Sequence, residues 1–127
     1  MNKRVLVVDS SPDAGLSFLN EAVPGVLSEI SIINQMSAAL ATVRNQRFDL
    51  ILLGDRLPEG GDIYDVALRI KDSKNNLRVP VICVGKHGGR AAKIVRLLKP
   101  YAFYVGDHGS AVLAKKVHEY LSEGEAV

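Results

Sequence analysis

The chain has 127 residues, enough for one domain with a proper core, and a net charge of +2. Apolar residues make up 47% of it and charged residues 24%, which excludes a disordered chain and gives no ground, on overall charge, for a nucleic-acid binder. Its one cysteine, Cys83, can form no internal disulfide and lies in an apolar run, so it reads as a buried thiol in a reducing compartment.

The first predicted element is the apolar run Val5–Val8. It is far too short for a signal-peptide core or a membrane span, so the expectation is a cytoplasmic protein that does not touch the membrane. Ser11-Pro12 reads as a helix start, with serine as the cap and proline at the first helical position. Gly25 punctuates the next join, and Val26–Ile33 is a second apolar run, interrupted by polar residues. Asn34 is a candidate cap for a helix whose stripe is Met36, Ala39, Leu40 and Val43. Leu50–Leu53 is a third run, followed by the breaker Pro58-Glu59-Gly60-Gly61.

Asp62 then precedes a stripe of Ile63, Val66, Ala67 and Ile70. Val81–Val84 is the fourth run, Gly88-Gly89 marks a join, and Ala91, Ile94, Val95 and Leu98 form the next helical stripe. The fifth run is Ala102–Val105, and Leu113, Val117, Tyr120 and Leu121 give a last helix. Three of the runs are nearly continuous in Val, Ile and Leu, as in parallel strands covered on both faces. A strand and a helix repeated five times predict an α/β protein with a doubly wound parallel sheet. Function in such a fold gathers where strands end and helices begin, so four loops matter most: Asp9–Pro12, Gly54–Gly61, Gly85–Arg90 and Gly106–Ser110.

Those loops carry a resemblance. Val5-Leu6-Val7-Val8-Asp9 resembles the first strand of the CheY-like receiver domains of bacterial response regulators, which ends in a pair of acidic residues. Phe48–Leu53 followed by Leu57-Pro58 looks like the third strand and its loop, and Val79-Pro80-Val81-Ile82 looks like the fourth strand. The resemblance spans essentially the whole chain. It implies the flavodoxin-like (βα)5 fold with strand order 2-1-3-4-5, a receiver-like domain over residues 1–122, and a tail or start of a linker over 123–127.

A working receiver needs an acidic cluster for a divalent cation, an aspartate that takes the phosphoryl group, a hydroxyl that follows the phosphate, and a lysine that neutralises it. Counted against that pattern, this chain departs from it repeatedly. Asp9 of the acidic pair is present, but its neighbour is Ser10. The acceptor, four residues before Pro58, is Gly54. The hydroxyl position, five after Pro80, is Gly85. The lysine position is Gly106, followed by Asp107 where the family usually has proline. Phe103 keeps the aromatic position but has no hydroxyl partner to switch with. The resemblance is thus to the degenerate, pseudo-receiver branch, in which magnesium binding is expected to be lost or weak and no other cofactor is expected.

Asp55 would be an alternative acceptor if the third strand carried a one-residue bulge; without one it points away from the Gly54 direction. Gly85-Lys86-His87-Gly88-Gly89-Arg90 is a second alternative. Glycine backbone N–H groups, Lys86 and Arg90 would hold a nucleotide or other anion, although the stretch lacks a P-loop pattern and also reads as a flexible loop. His87 and His108 follow strand ends without paired ligand spacing, and His118 falls on the last helix, so all three read as surface histidines and no metal site is assigned.

On the helix between the fourth and fifth strands, Arg90, Lys93 and Arg96 lie opposite the apolar stripe, with Leu97 near the edge of that basic face. Val112, Lys115 and Lys116 would extend it. The family usually binds partners with this helix, the fifth strand and the fifth helix. An apolar residue rimmed by basic ones suits a partner with an acidic rim, and an ordinary solvated helix is the bland alternative. The expectation is a non-enzymatic, phosphorylation-independent interaction module that docks another signalling protein or a second copy of itself. No helix-turn-helix is left over for DNA binding.

Overall fold

In the computed structural model, which describes residues 3–8, 28–54, 62–84, 88–105, 115 and 119, the apolar runs form one sheet. Its strands are β1 (Lys3–Val8), β2 (Ser28–Ile33), β3 (Leu50–Leu53), β4 (Val81–Val84) and β5 (Ala102–Val105). They are all parallel, in the order β2-β1-β3-β4-β5. This is the doubly wound, flavodoxin-like order. The register brings Val8 level with Ile33 on one side and with Leu53 on the other. The described helices are α1 (Met36–Asn45), α2 (Ile63–Asp72) and α3 (Gly88–Leu97).

Alternation along the strands divides their side chains between two buried faces. Leu6, Val8, Ile51, Leu53, Val81 and Cys83 join one core cluster with residues of the three helices. Ala39 and Val43 come from α1, the buried stripe Ile63, Val66, Ala67 and Ile70 from α2, and Ala91 and Ile94 from α3. Val5, Val7, Leu50, Leu52 and Ile82 point the other way and are buried as well. Burial on both faces is why these strands read as continuous apolar runs rather than as alternating ones. Burying each large aliphatic side chain contributes about 1.5–3 kcal/mol.

The helix starts differ from one another. Asp62 caps α2, and its Oδ1 accepts the Tyr64 N–H at 2.9 Å. The expected Asn34 cap is corrected: the N-cap of α1 is Gln35, which makes no side-chain cap hydrogen bond. The Ala39 N–H instead reaches the Gln35 carbonyl at 3.0 Å, and the helix is held by Ala39 and Val43 against the core. The Gly88-Gly89 join is also corrected. Both glycines lie in the first turn of α3, which begins at Gly88. Burial of Ala91, Ile94 and Leu98 offsets the low helix propensity of glycine there. The Lys99–Pro100 peptide between α3 and β5 is cis. No helix among the described residues is long and apolar enough to cross a membrane.

At the opposite end from the strand C-termini, one buried side chain knits two connections together. Asn76, wholly buried, donates from Nδ2 to the carbonyls of Val43 and Gln46, each at 2.7 Å. Its Oδ1 accepts the Phe48 N–H at 2.9 Å. Ser73 Oγ also donates to the Val43 carbonyl, and Asn75 Nδ2 to that of Arg44. The segment after α2 thus satisfies carbonyl groups that the last turn of α1 leaves without helical partners.

Candidate functional site

The strand order reverses direction at β1: β2 lies on one side of it and β3 on the other. In open α/β sheets such a switch point opens a crevice at the strand C-termini. Here it falls where Val8 and Leu53 end side by side. Gly54 is the described residue at that point. It is buried, and its N–H donates to the Val8 carbonyl at 2.8 Å. That bond carries the parallel ladder one residue past Leu53, so no extra residue is inserted up to Gly54. By alternation position 54 lies on the side of Leu50 and Leu52, opposite Leu53.

β4 and β5 end level with one another, Val84 beside Val105. β1, β3, β4 and β5 are neighbouring strands, and the residues next in sequence after their ends are Asp9, Gly54, Gly85 and Gly106. Of these only Gly54 is described. Asp9, Ser10, Asp55, Gly85, Lys86, His87, Gly106 and His108 lie outside the described residues, as does His118. Phe103 pairs in register with Ile82 and is half-buried on the edge strand. Its neighbour Tyr104 packs against the core cluster.

Cys83, two residues before Gly85, is 2% exposed. Burial pushes its thiol up to about 12, so it stays a neutral core side chain and not a nucleophile. Among the described residues no group of three His, Cys, Asp or Glu side chains is arranged to hold a metal ion.

On the candidate partner face, Lys93 and Arg96 are exposed along α3, and Lys115 is exposed in a helical turn. Leu97 is half-buried and packs in part against the core, so only the remainder of it reaches the surface beside the cations. The Arg90 side chain, Val112 and Lys116 are outside the described residues. Tyr101, in the turn before β5, is 38% exposed, an exposed aromatic that periodicity does not single out. Asn76 carries no sequence signal, because it sits in a polar run, Lys74-Asn75-Asn76, that reads as any surface turn.

No protein-family model matches the chain, and no curated protein matches it. Solved structures do, and those named here are receivers or response regulators. The phosphorylated cyanobacterial phytochrome response regulator RcpA is 21% identical, with 98% of this chain and 96% of that one covered and a TM-score of 0.74. The Mn²⁺-bound response regulator Rcp1 is 25% identical over 94% of this chain and 92% of its own, with a TM-score of 0.71. The receiver domain of a sensor histidine kinase from Pseudomonas aeruginosa, with magnesium in its active-site cleft, is 18% identical over 97% of both chains at a TM-score of 0.70. The chain has the receiver fold.

Proposed function

We propose that the chain is an atypical receiver that works as a phosphorylation-independent protein–protein interaction module in bacterial two-component signalling, with no enzymatic step. The receiver fold supports the setting, since its structural neighbours include response regulators and a sensor-kinase receiver domain. The observation that carries the reading is Gly54. It stands at the switch point, bonded into the β1–β3 ladder, where the resemblance puts the phosphate-accepting aspartate. A glycine has no side-chain oxygen to take a phosphoryl group or to ligate a cation.

Magnesium fits this donor set poorly. Gly54 offers it nothing, and Asp9 is followed by Ser10 rather than by a second carboxylate. Gly85 and Gly106 likewise lack the hydroxyl and the ammonium that would follow and neutralise a phosphate. With the pocket depleted, output moves to the surface. The exposed Lys93 and Arg96 of α3, beside β5, suit an acidic rim on another signalling protein or on a second copy.

Intact-mass measurement after incubation with acetyl phosphate and Mg²⁺ tests the first claim, and the mass should not change. A phosphoryl adduct on Asp55 would overturn it. Reversal of charge at Arg90, Lys93 and Arg96 together should weaken self-association in sedimentation, or binding of a captured partner, by about tenfold or more. Association indifferent to all three would remove that face from the reading.

A further inference from the structure

A concavity lies at the other end of the sheet, under the N-termini of β3 and β4. It has a volume of about 540 Å³, within the range of ligand and peptide sites. Two connections wall it: the one from α1 to β3, and the one from α2 to β4. Three cations line it, Arg47, Lys74 and Arg78, and all three are exposed. Among the described residues no hydrogen bond or ion pair engages any of them.

Asp49 is the one acid in the lining, and it faces inward to other work: its Oδ2 accepts the Arg4 N–H at 2.8 Å. Leu77 stands in the same wall, 50% exposed, the most exposed large apolar side chain described. Asn76, next in sequence to two of the lining residues, ties both connections together through its bonds to Val43, Gln46 and Phe48. A rigid scaffold lowers the ordering cost of binding. The C-termini of α1 and α2 favour cations nearby, and among the described residues the charged ends of the three side chains have no partner.

We infer that this basal groove is a docking site for an acidic peptide segment of a partner protein, its carboxylates held by Arg47, Lys74 and Arg78 and an apolar side chain seated on Leu77. The exposed leucine favours a peptide over a nucleic acid. The one aromatic ring in the lining, Phe48, is buried and offers no face for a base to stack on. The chain's net charge of +2 is also far from that of a nucleic-acid binder. The groove lies at the far end of the sheet from Gly54, so the inference stands independently of the function proposed above.

Fluorescence anisotropy of the full chain with a labelled Glu-Glu-Leu-Glu-Glu peptide tests it. Binding should be measurable at low salt and should weaken as salt screens the contacts. The triple variant R47E/K74E/R78E should lose about tenfold or more in affinity, and Leu77→Ala a further few-fold. Lys93→Glu with Arg96→Glu, on the α3 face, should leave this binding unchanged, and circular dichroism should show every variant folded. Any of three results would overturn the inference: no binding by the unmodified chain, equal binding by the folded triple variant, or tighter binding of an oligonucleotide or of inorganic tripolyphosphate than of the peptide.

Discussion

Asn76 Oδ1 accepts the Phe48 N–H at 2.9 Å, across 28 residues of sequence, while the same side chain donates to Val43 and Gln46. A single amide thereby closes the end of α1, starts the approach to β3 and anchors the turn before β4. Among the described side chains no buried polar atom lacks a partner, and this is the place where that depends most on one residue. Asn76→Ala would remove the partner of the Gln46 carbonyl and of the Phe48 N–H, while the Val43 carbonyl keeps its bond from Ser73 Oγ. We expect a loss of about 2–4 kcal/mol, since each buried group left unpaired costs about 1–3 kcal/mol and some admit water. Urea denaturation measures it. A loss below the scatter of surface substitutions, about 0.5 kcal/mol, would show that water replaces the amide fully.

Asp62 is a simpler case. Its carboxylate caps α2 by accepting from Tyr64, and it sits one residue before Ile63, which is buried in the core. Asp62→Ala should cost about 0.5–2 kcal/mol, and Asp62→Asn, which retains an acceptor oxygen, clearly less. Equal losses in the two variants would mean that the negative charge near the helix N-terminus, rather than the hydrogen bond, supplies the stabilisation.

Ile94 links the core to the proposed partner face. It is 1% exposed on α3, on the side away from the exposed Lys93 and Arg96. Ile94→Ala should destabilise the fold by about 2–5 kcal/mol through lost burial and a residual cavity. Hydrogen exchange should show α3 losing protection before α2, because four buried residues of α2 still hold it in place. Uniform loss across both helices would make them a single cooperative unit.

Much of the architecture was legible because period and burial are tied. The runs at Val5–Val8, Leu50–Leu53, Val81–Val84 and Ala102–Val105 match strands, and the stripe from Ile63 to Ile70 matches the buried face of α2. Two boundaries were not. Asn34 and Gln35 are both polar, and nothing local says which will take the extended N-cap conformation. Gly88-Gly89 reads as a break because glycine is a poor helix former, yet packing of the following turn outweighs that preference. At the site, counting from Pro58 marked Gly54, and the ladder to Val8 gives that position a physical location. The basal groove is not legible in the sequence because Arg47 is distant from Lys74 and Arg78 and only the parallel topology brings the two connections together.

Cys83 gives a prediction in pH. Burial raises its thiol from 9.0 to about 12, so the folded chain holds this proton more tightly than the unfolded one. With an acid whose pKa rises on folding, the unfolded state loses its proton first, and stability falls as pH increases. The contribution is fully present below pH 9.0 and is lost progressively as pH climbs towards about 12. The informative quantity is the difference between the unmodified chain and Cys83→Ala, in which every other group is common to both. That variant should melt lower at neutral pH, where it leaves a small cavity, and the gap should narrow as the solution becomes alkaline. A gap that stays constant above pH 9.0 would mean that the thiolate is accommodated in the fold. Alkylation by iodoacetamide provides the companion measurement: slow in the native chain at neutral pH, and rapid once urea exposes β4.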